Sequence, residues 1–382
     1  MKQHFVILVL LSLMLSVSGQ KSKVLAVKQM IDAGKYDEAK ESIEMAVLND
    51  RTSKWYRTYY VKGLLCQTAY EAGVEKDESK MINLYPDQLF VAYDSYEKAL
   101  ELDVRERMHS QIRHQYYLLA NDFRSMGEEL FMKKTYKESL RAFEHALLIG
   151  ESDLVSAKTD TNLVYNTAMA AYESENWEKA TKYLSSLHEI AYSVNTTFLL
   201  AMAWRNAGDT VRSEEVLMEG VELFHYDESV LVYLVNELVR SGRMESAITY
   251  LNKAIEASPE NFLFLWARGL VYRRMNDYDK AILSFRKAAE LAPDKPTLYY
   301  HIGVSYYNVG IDLRESALRV AENDDYLEIR EQYLEKFREA VIWLERSYEL
   351  DPTNEQTITR LNQLYYQLQM KEEQKSLELI KN

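Results

Sequence analysis

Two prolines 34 residues apart, Pro259 and Pro293, bracket the segment that most constrains this chain. Between them run two apolar-periodic stretches in which small and aromatic residues hold fixed places. The first carries Gly269 and Tyr272, the second Ala281, Phe285 and Ala288. A small residue on each stretch lets two helices approach closely, and an aromatic on each fills the remaining gap. Proline after the second helix cannot continue it and resets the chain. A hairpin of this kind cannot bury its apolar face alone, so copies of it must stack on one another.

The same frame returns upstream. Residues 228–261 carry Ala247, Leu251, Ala254 and Pro259, and 194–227 carry Trp204 and Leu217, with Ser213 and Gly220 as the small residues. Ala168, Ala180 and Leu184 mark 161–193; Gly127, Phe143 and Ala146 mark 108–150. Gly63, Ala92, Tyr96 and Ala99 mark 56–106, and Ala39, Ile43 and Ala46 mark 20–53. Two repeats are enlarged. In 56–106 a polar excursion over 74–90, with a turn at Pro86, separates the helices. In 296–354 Gly303 and Tyr306 are followed by their small partner only at Ala340, about 25 residues late for the period. That extra stretch holds no Gly or Pro after Gly310, so it reads as two longer helices meeting near Asn323-Asp324-Asp325. Residues 355–382 read as polar capping helices, which an open-ended stack needs. Only 12 Gly and 5 Pro occur in 382 residues, too few for the turns of a sheet-rich fold.

This spacing of Gly, Tyr, Ala, Phe and Pro resembles the tetratricopeptide repeat. The resemblance implies an all-α, right-handed superhelical solenoid of about eight helix-turn-helix repeats over 20–354, closed by the 355–382 segment. It also implies a non-enzymatic scaffold that takes a segment of a partner protein in its concave groove.

Residues 1–19 read as an address. Lys2 precedes an apolar-rich run from Phe5 to about Val17, then Ser18 and Gly19, the layout of a secretory signal peptide. The run is too short to span a bilayer of roughly 30 Å. Export by this peptide places the mature chain, from Gln20, in the periplasm or outside the cell, soluble or bound to an envelope complex.

The chemistry of known enzyme sites finds no pattern here. There is no phosphate loop and no dinucleotide or zinc-protease motif, and the histidines lack metal-ligand spacing, so no catalytic, metal or cofactor residue is assigned. The lone cysteine, Cys66, falls on a core position of its repeat, where a buried, inert thiol is the simpler reading. A net charge of -13 argues against nucleic acid and anionic membranes as partners.

The family places helix A positions 2, 5, 6, 9, 12 and 13 on the concave surface. From 161 onward these positions hold Arg205, Arg240, Arg273, Arg274 and Arg360 against one acid, Glu173. They also hold Tyr165, Tyr172, Tyr233, Trp266, Tyr300, Tyr307 and Tyr366, with Asn166, Asn206 and Asn236; His301 adjoins them. Asparagine pairs with peptide groups, rings give contact area at low rotamer cost, and arginine forks match carboxylates. The expectation is an acidic or carboxylate-bearing partner segment gripped between about Tyr165 and Tyr366. A structural subunit of an envelope or secretion assembly is the alternative function, and glycan binding through the tyrosines a second one. The long 296–354 hairpin reads either as packed on its neighbours or as a docking arm.

Overall fold

The computed structural model describes residues 20–319 and 323–380. The 1–19 leader lies outside the described residues, as do 320–322 and 381–382. Every regular element among the described residues is a helix. They fall into two compact units that divide between Ile190 and Ala191, a division that the repeat period does not mark.

The first unit holds α1 (20–32), α2 (Tyr36–Leu48), α3 (Tyr56–Lys76), the short α4 (Ser79–Ile82), α5 (Gln88–Leu102), α6 (His109–Met132), α7 (Tyr136–Glu151), α8 (Thr161–Glu173) and α9 (Trp177–Glu189). The second holds α10 (Val194–Asn206), α11 (Thr210–Leu223), α12 (Glu228–Arg240), α13 (Met244–Ala257), α14 (Phe262–Arg274), α15 (Tyr278–Leu291), α16 (Pro296–Ala317), α17 (Asn323–Leu350), α18 (Glu355–Leu368) and α19 (Lys371–Ile380). Side-chain caps start many of them: Asp160, Asn176, Ser193, Asp209, Asp227, Asn261, Asp277 and Asn354 each accept from a backbone N–H of the first turn. Pro296 opens α16, where its missing donor costs nothing.

Within a hairpin the helix-to-helix distance is set by a missing methyl group. A Cβ built on Gly269 would meet the Phe285 ring at 2.5 Å, and one on Gly127 would meet Phe143 at 2.6 Å. Gly63 sits against Tyr96 in the same way, also at 2.6 Å. The long α16–α17 hairpin repeats the device twice, with Gly303 against Leu344 and Gly310 against Phe337. Ala317, Phe337, Ala340 and Leu344 are buried along it. The excursion in 56–106 is less free than its polarity implies. Leu84, Tyr85 and Gln88 are buried, Tyr85 Oη donates to Glu44 at 2.8 Å, and Lys40 Nζ donates to the Leu84 carbonyl at 2.6 Å. The segment thus folds back onto α2 and α3.

One polar cluster interrupts the first unit's core. Gln67 on α3 donates through Nε2 to Glu71 Oε1 at 3.1 Å and to Asp122 Oδ2 on α6 at 3.0 Å. Its own carbonyl oxygen accepts from Tyr96 Oη at 3.0 Å. Burial, and then the Glu71 charge, push Asp122 up to about 7, and burial raises Glu71 as well. Cys66, the residue before Gln67 on α3, is fully buried and its thiol is pushed up to about 12 by that burial.

Candidate partner-binding cleft

Tyr165, Asn166 and Tyr172 lie along α8 of the first unit, where Tyr172 meets Trp177 edge-on with centroids 5.4 Å apart. The other groove residues belong to the second unit, on α10, α12, α14, α16 and α18.

The arginines differ in what holds them. Both Arg205 and Arg240 converge on Glu237, a residue of α12 that stands one place beyond the groove-facing Asn236. Arg205 engages Glu237 through both guanidinium arms, with Nη1 at 2.6 Å from Oε1, and Arg240 Nη1 lies 3.1 Å from the same oxygen. The Arg205 fork is therefore filled, whereas Arg240 gives one arm to the pair and stays exposed. Arg360 lies 4.4 Å from the centre of the Tyr307 ring and donates to Gln363 at 3.0 Å, while Tyr307 itself stacks on Phe337 at 5.5 Å. These three build the hairpin's base. Tyr233 stacks on Phe198 at 3.9 Å and joins α12 to α10. Asn206 and Tyr366 remain exposed.

Arg273 and Arg274 stand apart: among the described residues neither forms an ion pair. Arg273 is half-buried, which pushes its guanidinium down from its usual range, and its Nη1 donates to His301 Nδ1 at 3.0 Å. Burial, followed by the Arg273 charge, holds His301 down at about 4, so the ring is neutral and accepts. Tyr300 leans against the same imidazole with centroids 5.5 Å apart. Arg274 is exposed.

Both arginines line a cleft of about 630 Å³ between α12 and α14. Val232 and Val235 form one wall; Leu263, Trp266, Ala267 and Leu270 form the other, with Leu251 of α13 beneath. Asn236 reaches in from α12, and Glu228 marks the far end. Trp266 lines this cleft, and its indole Nε1 is buried without a hydrogen-bond partner. A buried unpaired donor costs roughly 1–3 kcal/mol. Two cations without acid partners thus stand at one end of an apolar-walled cleft.

The family register already runs along these walls: Val232 and Val239 fall on its groove positions in 228–261, and Leu263, Ala267 and Leu270 on those of 262–295, although only the polar, charged and aromatic residues there were read as site residues. Val235 stands off the register, and its signal is an apolar stripe in which Val232, Val235 and Val239 follow at steps of three and four. Among the described residues no three His, Cys, Asp or Glu side chains converge as metal ligands, and no helix is long and apolar enough to cross a membrane.

Residues 234–261 match the family model for the tetratricopeptide repeat and 269–310 a second one for the TPR repeat, so the matched stretches begin on α12 and end in α16. The chain is also similar to BBSome complex member BBS4 of Bos taurus, 18% identical over 188 residues. That match takes in 49% of this chain and 35% of the relative, about a third of its length. Among solved structures it is similar to a TPR repeats protein of Bacteroides fragilis, at 16% identity and a TM-score of 0.37 over 65% of this chain and 98% of that one. MamA of Desulfovibrio magneticus aligns at 20% identity and a TM-score of 0.32, over 49% and 96% of the two chains.

Proposed function

We propose that this tetratricopeptide-repeat protein is a non-enzymatic scaffold of the cell envelope that binds a segment of a partner protein in the α12–α14 cleft. A carboxylate of that segment pairs with Arg273 and Arg274, and its apolar side chains fill the space between Val232 and Leu270. The observation that carries this reading is the pairing of unsatisfied groups in one place. Arg273 spends a donor on neutral His301 while no acid answers its charge, and Arg274 beside it forms no ion pair either among the described residues. Groups left this way in the free protein gain more from a ligand than paired ones do. The similarity of half the chain to a member of a multiprotein complex agrees with an assembly role. Export rests on the 1–19 leader and puts the partner in the periplasm or outside the cell.

The experiment is site-specific photo-crosslinking in the producing cell. A benzophenone amino acid at Val232, on the cleft wall, is compared with one at Leu283, exposed on α15. The reading requires one discrete adduct from position 232, absent from position 283 and lost when Arg273 and Arg274 are both changed to Glu. An adduct that survives the charge reversal, or forms only at 283, removes the cleft as the partner site.

A further inference from the structure

The shape and polarity of the same cleft assign the conformation of its occupant. We propose that the partner segment binds as an amphipathic α-helix lying parallel to α12 and α14, with an acidic last turn at Arg273 and Arg274. This rests on the reading of the cleft as the partner site and adds what the site selects.

The lining residues give its direction. On α12 they are Glu228, Leu231, Val232, Val235, Asn236 and Val239, which step by three and four from one end of the helix to the other. On α14 the series from Leu263 through Trp266, Ala267 and Leu270 to Arg274 does the same. The cleft therefore runs from 228 to 239 on α12 and from 263 to 274 on α14, eleven residue-to-residue rises on each, about 16 Å at 1.5 Å per residue.

What the walls offer along that length decides the ligand's backbone. An extended chain covers about 16 Å with five residues and brings about ten amide N–H and C=O groups into the cleft. Between its two ends the cleft's polar side chain is Asn236. Helices α12 and α14 have no backbone groups to spare, because theirs are spent within each helix. Most of the extended ligand's amides would go unpaired at roughly 1–3 kcal/mol each. A helical ligand keeps its backbone bonds to itself and presents only side chains, and about 630 Å³ accommodates the apolar stripe of such a helix.

Charge sets the orientation. Glu228 stands at the N-terminal end of α12, and Arg273 and Arg274 at the C-terminal end of α14. A bound helix carries partial positive charge at its N-terminus and partial negative charge at its C-terminus. Parallel placement sets the first against Glu228 and the second, with any acidic side chains of the last turn, against the arginines.

A library of random 14-residue peptides displayed on phage, selected on the full exported chain, tests this. Counter-selection uses Val232→Glu, a change at a 45% exposed position with folding checked by circular dichroism. The proposal expects enriched sequences without proline, with apolar residues at i, i+3, i+4 and i+7 and Asp or Glu in the last turn. Moving that acid to the first turn of a synthetic winner should weaken binding at least tenfold, and Arg273→Gln with Arg274→Gln should abolish the difference. Winners with alternating apolar residues or internal proline, still rejected by Val232→Glu, would keep the site and overturn the helix. Winners that bind Val232→Glu equally well, or no enrichment at all, would overturn the site and the helix together.

Discussion

Glu237 of α12 grips Arg205 of α10 through both guanidinium arms, with one N···O distance of 2.6 Å. The pair is largely screened from solvent and holds two neighbouring first helices of the stack together. Changing Arg205 to Ala leaves a half-buried carboxylate with only Arg240 to answer it. The expected outcome is a melting temperature lower by several degrees with partner binding retained, whereas Arg273→Ala should do the reverse. Paired measurements of thermal unfolding and peptide affinity on the two variants check the split. Equal loss of affinity in both would return Arg205 to the binding site.

Gly269→Ala puts a methyl group into the Phe285 ring, where the built Cβ lies 2.5 Å away. Overpacking of this kind costs about 1–3 kcal/mol. Gly150→Ala, near the end of α7 with nothing within 4 Å, should instead be neutral or stabilising by a few tenths to about 1 kcal/mol. Urea unfolding of both variants reads the contrast. A stable Gly269→Ala would mean that the missing methyl does not set the hairpin spacing.

Glu71 and Asp122 give the first unit a pH dependence. Both carboxyls hold their protons more tightly when folded, and the groups around them are Gln67 and the phenols of Tyr36, Tyr70 and Tyr96, with Glu129 beyond. The folded state therefore binds more protons than the unfolded one between the ordinary carboxylate range and about 7. Stability falls as pH rises through that window and is level above it. Asp122→Asn keeps the hydrogen bonds without the charge, so it should raise the melting temperature by a few degrees at pH 8 and leave it nearly unchanged at pH 4. Identical melting of variant and parent across pH 4 to 8 would refute the raised titration of Asp122 in the folded state.

Trp266→Phe removes the orphan N–H and keeps most of the apolar wall. The free protein should gain up to about 1 kcal/mol, since an unpaired buried donor is gone, while a cleft-binding peptide keeps its affinity within about threefold, because the buried N–H is out of a ligand's reach. Urea unfolding and fluorescence anisotropy, run on the same preparation, check both. A variant that loses stability would show the indole N–H to be paired in the folded protein.

The reach of the sequence follows from distance along the chain. Gly269 and Phe285 were legible because both belong to one repeat and their types recur at the same offsets. Arg273 and Arg274 were legible as groove residues on the same register. Glu237 was not legible as the partner of Arg205, because it stands beside the groove positions and pairs across to another repeat, 32 residues away. Glu71 and Asp122 were hidden by the enlarged 56–106 repeat, which shifts the frame between α3 and α6. Val232 and Leu270 stand on groove positions of that register, but an aliphatic side chain names no ligand chemistry, and periodicity does not say whether a neighbouring helix or a cleft faces it.

The glycine-to-aromatic contacts also bear on how the chain acquires its shape. Gly269 to Phe285 and Gly127 to Phe143 each close a loop of 16 residues. Gly310 to Phe337 needs 27 and Gly63 to Tyr96 needs 33. Each doubling of loop length adds about 0.6 kcal/mol of closure entropy, so the short hairpins close first. A polypeptide emerging end-first from a narrow channel can lock each short hairpin while the next is still extended. The two enlarged repeats must wait for a longer stretch of chain, and their tempo sets the order in which the rest can stack.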